Sequence, residues 1–387
     1  MVVCCIFANK FITHNELLGL LGMVSFIVTT YNLEDWLLRR CLSSIVAQGL
    51  ARDEYEIIVV DDESMVSPQH VVDEFSEQVN ITLYVQQHAR QGAARNLALS
   101  HAKGEWVEFV DGDDYLFAGA IAPLLRSAKA NNLDMLMFTF REVHDSAAEN
   151  GSKETTTEYA NTHPDGNNFQ FSKLRLSESK DCLQALPSMA TSTKLTSNFQ
   201  LRIATGDSYM LHHNLFGACW GFLFKRSLLD DPQHGAPLRF TEGIYIEDEE
   251  FVTHLVWRAQ RMAKADVAAY AYYQRAGSTV HSPSREHTDE LFRSYFVVLK
   301  RLMAFEASLG DEPHAGLTRK VRFLALDVLR RALREPDWTK RWNESAQQLR
   351  SLGAYPLPVA HYSWKYSLFR LLAQCGIGRQ ILRMIEK

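Results

Sequence analysis

Short apolar runs alternate with amphipathic ones from Val24 to Phe140. The runs Val24-Ser25-Phe26-Ile27-Val28-Thr29, Glu56 to Val60, Ile81 to Val85, Glu105 to Val110 and Met135 to Phe140 are continuous and rich in β-branched and aromatic residues. That is the pattern of strands covered on both faces. Between them, Leu33–Gln48, Gln69–Gln78, Ala93–Ala102 and Ala120–Asn131 carry apolar residues at helical spacing. Asn32 predicts a cap for the first helix. Leu37, Cys41 and Ile45, with Leu38, Leu42 and Val46, form its buried side. Strands alternating with helices predict an α/β fold, a mostly parallel sheet flanked by helices.

Beyond Phe140 the pattern changes. Residues 141–215 are rich in Gly, Ser, Thr, Asn and Lys and read as an insertion of loops and short elements. Apolar order returns at Phe216–Phe224, and after Thr288 the spacing is helical, over Leu291–Leu309 and Leu317–Leu333. The expected organisation is an extension over 1–22, an α/β domain over 23–285 and a helical region over 286–387. Leu17–Val28 is apolar, but it lacks a basic leader and a small-residue cleavage site. We read its second half as the first strand. Met23 stands immediately before that strand, as an alternative start.

Composition narrows the class. Hydrophobic residues make up 46% of the chain and charged residues 22%, enough to build a core. A net charge of −5 carries no global basic footprint and disfavours bulk nucleic-acid binding. No apolar run reaches the roughly 20 residues of a membrane span. The six cysteines are scattered without metal-type spacing, which predicts a reducing, cytoplasmic setting.

Polar residues gather where strands stop. Thr29-Thr30-Tyr31-Asn32, Asp61-Asp62 and Asp111-Gly112-Asp113 each follow an apolar strand. In open α/β sheets, ligands bind outside the carboxyl ends of the strands. Two carboxylates two positions apart, Asp111 and Asp113, suit a hard divalent cation and a diphosphate. An exposed acidic turn gives the same string, and so the setting decides. Asp61-Asp62 can accept from a nucleobase imide or a ribose hydroxyl, or cap a turn. Arg95, after Gly92, can reach a carboxylate or phosphate.

These blocks, in order and spacing, resemble the family-2 glycosyltransferases of the GT-A fold. Val24 to Asn32 resembles that family's first strand, and Ile57 to Ser64 its second. Gln91-Gly92 through Arg95-Asn96, then Lys103 to Asp114, resemble its third block. Thr30 stands where Pro is usual, and Glu63 where Gly is usual. The resemblance is strong over residues 23–140, moderate over 217–281 and slight elsewhere. It implies donor binding by Thr29, Tyr31, Asp62, Arg95 and Asp111, with Asp113 and Asp111 on a Mn²⁺ or Mg²⁺ ion. Asp61 either supports the turn or contacts the nucleotide. A second block, Trp220 to Arg226 and then Phe240 and Glu247-Asp248-Glu249-Glu250, resembles the acceptor half of bacterial members. Trp220 and Lys225 are placed on the acceptor side.

An inverting transferase needs a base for the acceptor hydroxyl, and a carboxylate in a partly buried setting suits it. Asp248 is our choice and Glu247 the second, although an acidic helix start also satisfies the macrodipole. Arg275 would neutralise the departing diphosphate, and His281 would be a third metal ligand. The expected activity is transfer of a sugar, UDP-linked in the leading reading, to a glycan or lipid-linked acceptor of a surface polysaccharide such as capsule or lipopolysaccharide.

Other readings differ in class. A processive synthase carries Q-x-x-R-W and membrane spans; here Gln347-Gln-Leu-Arg350 is followed by Ser351. A sugar-phosphate nucleotidyltransferase needs a Gly-rich basic loop after the first strand. A degenerate nucleotide-sugar binder would bind UDP and never release it from a UDP-sugar. Finally, Trp364–Lys387 interleaves five basic residues with Leu and Ile. That suits either an ordinary packed helix or peripheral contact with the inner membrane.

Overall fold

The computed structural model describes residues 23–144, 201–232, 235–274, 284–310 and 314–386, and the backbone of 145–146, 153–159 and 172–174. Ten strands form one sheet: β1 (Val24–Thr30), β2 (Tyr55–Asp61), β3 (Ile81–Val85), β4 (Trp106–Asp111), β5 (Tyr115–Leu116), β6 (Met135–Ser146), β7 (Lys153–Tyr159), β8 (Ser172–Leu174), β9 (Phe222–Lys225) and β10 (Met262–Gln274). The main path runs β3-β2-β1-β4-β9-β6-β10-β5, with β7 and β8 continuing from β6. β1 pairs in parallel with β2 and β4, β2 with β3, and β6 with β10. The sheet is mixed, however, because β9 runs antiparallel between β4 and β6. The alternation of runs could not reveal that reversal, since β9 returns from far along the chain.

Eleven helices are described: α1 (Asp35–Val46), α2 (Gln69–Asp73), α3 (Arg90–His101), α4 (Ile121–Ala130), α5 (Gly206–His212), α6 (Glu247–Arg258), α7 (Arg285–Ser308), α8 (Ala315–Arg334), α9 (Trp338–Ser351), α10 (Trp364–Leu372) and α11 (Gly376–Glu386). Three boundaries depart from the periodicity for visible reasons. Asn32 does not cap α1, whose cap is Glu34. Instead its N–H donates to Ser64 Oγ and its Oδ1 accepts from Met65, tying the exit of β1 to that of β2. The helix expected over 69–78 ends at Asp73, because Phe75 and Gln78 turn tighter, onto carbonyls three residues back. α3 starts early, because the Asp62 carboxylate accepts the N–H groups of Ala89 and Arg90.

Alternate residues of each strand feed two apolar layers. One layer joins Phe26, Val28, Val59, Trp106 and Val110 to the buried faces of α1 and α4. The other joins Ile27, Ile58, Val107 and Phe109 to α3 and α6, and through them to α7, α8 and α9. The C-terminal helices therefore share a core with the sheet. So does α5, at the tail of the stretch read as an insertion. A Cβ on its Gly206 would lie 1.5 Å from Val256 O, and one on Gly316 1.8 Å from Asp207 O, so α5 is wedged against α6 and α8.

One polar residue violates this layering. Glu108 on β4 is fully buried and shares the face of Trp106 and Val110. Burial pushes its pKa well above the carboxylate range, and neither of its oxygens has a hydrogen-bond partner among the described residues. A raised native pKa means that the folded state holds the proton more tightly than the unfolded chain. Stability therefore falls as pH rises from about 4.5 toward the native value. Glu108→Gln removes that dependence. In thermal melts, the Tm advantage of the variant over the parent should widen from pH 5 to pH 8. A gap that narrows with pH contradicts the assignment.

Candidate active site

The register brings the three polar strand ends to one rim. Thr29 pairs with Val60 and Asp111, and Thr30 with Asp61. The N-terminal turns of α3 and α6 close on the same rim through Arg95 and Glu247.

Each carboxylate at the rim has its own surroundings. Asp61 is buried and accepts from the N–H and hydroxyl of Ser64, so it holds the turn after β2. Asp62 is buried under His88 and accepts from Ala89 N (2.9 Å), Arg90 N (2.9 Å) and Gln86 Nε2 (2.7 Å). His88 Nδ1 lies 2.9 Å from Asp62 and its ring stacks on the exposed Tyr31 at 4.5 Å. His88 was not a sequence candidate, because nothing local links it to Tyr31 or Asp62. The buried hydroxyl of Thr29 has no hydrogen-bond partner among the described residues, which leaves it available to a ligand atom. Gly112 lets the turn after β4 lie against β1: a Cβ there would sit 2.8 Å from Thr29 O.

The three acids of that turn differ. Asp114 is buried and accepts from Tyr270 Oη (2.6 Å) and Tyr273 N (2.7 Å), anchoring the turn on β10. Burial, then the nearby Asp113 and Asp111, push its pKa well up. Asp113 is half-buried, and its carbonyl accepts from Arg40 Nη2 at 2.9 Å. Asp111 Oδ1 accepts from Arg95 Nη2 at 2.8 Å and Gln91 Nε2 at 3.2 Å.

Arg95 is the centre of the arrangement. It is buried, and its other arm, Nη1, donates to Glu247 Oε1 at 2.9 Å. Burial opposes its charge, yet Cys219, Asp111, Glu247 and Asp248 around it hold its pKa above the usual value. Two neighbours bring α3 and α6 close enough for this bridge. A Cβ on Gly92 would lie 3.0 Å from Glu247 Cγ. Asn96 accepts from Phe240 N (2.8 Å) and donates to Phe240 O (2.9 Å) and Glu242 Oε1 (2.9 Å).

The acidic start of α6 does not behave uniformly. Glu247 pairs with Arg95, Glu249 with Lys320, and Glu250 with Arg301 and Thr241. Asp248 accepts only the N–H of Glu249 and has no ion pair among the described residues. Its carboxyl is pushed well above the usual range by burial and then by Glu247, against the pull of Arg95. Glu247 is also raised, by burial, with Arg95 opposing. Just before this pair Ile246 is held left-handed at φ +54°, a costly conformation for a β-branched residue. Asn32, Glu63 and Arg90, also left-handed, stand at the same rim.

The two acceptor-side residues part company. Trp220 is buried, stacked on Tyr270 at 4.4 Å and 6°, and so forms a wall rather than an open platform. Lys225 is not at the rim. Because β9 is antiparallel to β4, Lys225 pairs with Trp106 at the opposite end, beside Asp134. Five residues of β4, roughly 16 Å, separate it from Asp111. Arg275 and His281 lie outside the described residues.

Among the described residues, no group of three or more acidic, His or Cys side chains is arranged to cage a metal ion. The hard oxygens of Asp113 and Asp111 nevertheless fit Mg²⁺ or Mn²⁺. Such ions are commonly held by one or two carboxylates and completed by substrate phosphate oxygens and water.

Comparison with known proteins gives a consistent picture. Residues 25–184 match the family model described as Glycosyl transferase family 2. The poly(ribitol-phosphate) beta-glucosyltransferase of Bacillus spizizenii is 30% identical over 145 residues, which are 37% of this chain and 22% of that protein. The chain thus spans about a fifth of that relative's length. The uncharacterized glycosyltransferase EpsJ of Bacillus subtilis is 24% identical over 70% of this chain and 67% of its own. In fold, the structure resembles Staphylococcus aureus TarS 1–349, solved in complex with UDP-GlcNAc. The TM-score is 0.61 at 18% identity, covering 94% of this chain and 90% of that one.

Replacing Arg95 by Met leaves two facing carboxylates without their shared cation. Urea unfolding at pH 7.5 should show a loss of about 3–5 kcal/mol. Glu247 loses the cation that now opposes its raised pKa and holds its proton more tightly in the native state, so the loss should shrink as pH falls toward 5. A loss independent of pH, or below about 1 kcal/mol, contradicts the bridge.

Proposed function

We propose that this chain is a family-2 glycosyltransferase of the GT-A fold that moves a sugar with inversion from a nucleotide-sugar to a hydroxyl of a surface-polysaccharide acceptor. The observation that carries the reading is Asp248. It is the one acid of four at the start of α6 that forms no ion pair among the described residues, and its pKa is raised. A carboxylate with raised proton affinity and no cation bound to it suits the acceptance of a proton from a hydroxyl.

The donor side of the reading rests on the rim. Tyr31 and His88 offer an aromatic face beside Asp62, suited to a nucleobase. Thr29 offers an unsatisfied hydroxyl. Asp61 keeps the loop after β2 in place. UDP-linked donors are favoured because TarS, whose fold this chain shares, was solved with UDP-GlcNAc. Several relatives act on poly(ribitol-phosphate), which favours a glycan, polyol-phosphate or lipid-linked acceptor. Asp113, with Asp111, would hold a divalent cation, which supplies positive charge against the diphosphate. Arg275 and His281 join this side as the resemblance implies.

In the transfer step, the acceptor oxygen attacks C1 of the sugar from the face opposite the diphosphate. The C1–O bond to the diphosphate breaks as the new one forms. Asp248 takes the acceptor proton. Glu247, fixed by Arg95, keeps the base aligned with the donor carboxylate Asp111 and is the second candidate for the base. Trp220 contributes the wall behind the site.

Two variants test this. Asp248→Asn should keep UDP affinity and melting temperature and lose transfer, read as UDP release across a panel of nucleotide-sugars, by roughly 10²- to 10⁴-fold. Turnover within threefold of the parent moves the base to Glu247. Asp113→Ala should keep its fold and lose the Mn²⁺-dependent part of UDP affinity, measured by calorimetry. Unchanged Mn²⁺ dependence removes Asp113 from the metal.

A further inference from the structure

The C-terminal helices α10 and α11 present an unusual surface. On α10, Trp364, Leu368 and Leu371 recur at i, i+4 and i+7 and are exposed, Trp364 by 62% and Leu371 by 61%. On α11, Ile377, Ile381, Met384 and Ile385 recur in the same way, with Ile377 75% and Met384 72% exposed. The opposite faces are the ones that pack. Tyr366 and Phe369 lie against Phe323 and Trp342, and Leu382 is buried. Gly378 makes the hairpin tight, since a Cβ there would lie 2.2 Å from Leu372 O. The two exposed stripes are therefore held on the outside by packed inner faces. They are not frayed ends.

Charge identifies what covers them. Lys365 and Arg370 flank the α10 stripe, while Arg379 and Arg383 are half-buried over the rings of Trp342 and Trp338, and the single acid of the hairpin is Glu386. That acid is already taken by Arg330 and Arg334. A second copy docked on this face would set one basic rim against another. An anionic lipid surface satisfies both features, taking the apolar side chains between its headgroups and pairing the cations with phosphates. No helix among the described residues is long and apolar enough to cross a membrane, so such contact would be peripheral.

We propose that the α10–α11 hairpin is a docking surface for an anionic lipid bilayer, lying in the plane of the interface. The inference is independent of the residues assigned to catalysis.

Vesicle flotation of the full chain tests it. The protein should float with phosphatidylcholine vesicles carrying about one third phosphatidylglycerol and remain behind with pure phosphatidylcholine, and binding should fall with added salt. The triple variant Ile377→Ser, Met384→Ser, Ile385→Ser should bind more than tenfold more weakly. The pair Lys365→Gln, Arg370→Gln should lose about fivefold per charge. Both should keep the parental melting temperature, because the altered side chains lie on the surface. The proposal is overturned by any of four results. These are no flotation with the anionic vesicles, equal flotation with neutral ones, a triple variant that floats like the parent, or a fall in its melting temperature that shows the face to be packed. Sedimentation equilibrium adds one more: a dimer that the triple variant dissolves would make a second copy the occupant.

Discussion

The site depends on one buried cation. Arg95 donates one arm to Asp111 at the end of β4 and the other to Glu247 at the start of α6. These residues belong to the two halves of the site, the rim of the sheet and the helix that faces it. Two carboxylates this close repel each other, and burial makes the repulsion stronger. A guanidinium between them turns that repulsion into a clamp, with two donors in a fixed fork. Packing around the clamp follows from it. Gly92 leaves room for Glu247, and Asn96 fixes the loop before α6 through Phe240.

Backbone strain gathers in the same place. Four of the five left-handed non-glycine residues among those described, Asn32, Glu63, Arg90 and Ile246, stand at the rim. Such conformations persist only where neighbours over-determine them. Arg90 shows how. Its N–H is held by Asp62, its side chain reaches Gly243 O and Glu290, and its guanidinium lies over Tyr245. The rigid framework thus extends from the sheet to α7. It leaves Asp248 as the acid of its run that no ion pair engages, a group with proton affinity to spare.

Much of this was legible in the sequence. The alternating runs predict β1 to β4 and their helices, and the acidic and Thr-Tyr blocks at the strand ends predict a shared rim. What the sequence could not show is long-range pairing. Nothing near Arg95 announces a partner 152 residues away. Nor does the run containing Phe222 reveal that β9 is antiparallel, and that direction is what sends Lys225 to the far end of the sheet. Asn32 looked like a helix cap because caps are local, but its bonds to Ser64 and Met65 cross between strands. Conversely, the division of labour among Asp111, Asp113 and Asp114 depends on Tyr270 and Tyr273, which come from β10. Local propensity fixes elements, and partners 152 to 159 residues away decide which acid is anchored and which is available.

The clamp is tested most directly by a double-mutant cycle between Arg95→Met and Glu247→Gln, read by urea unfolding at neutral pH. If Arg95 joins the two halves as described, the two changes are strongly coupled. Removing Glu247's charge then relieves much of the cost of losing Arg95, with a coupling of about 2 kcal/mol. Additive effects, within about 0.5 kcal/mol, would contradict the account.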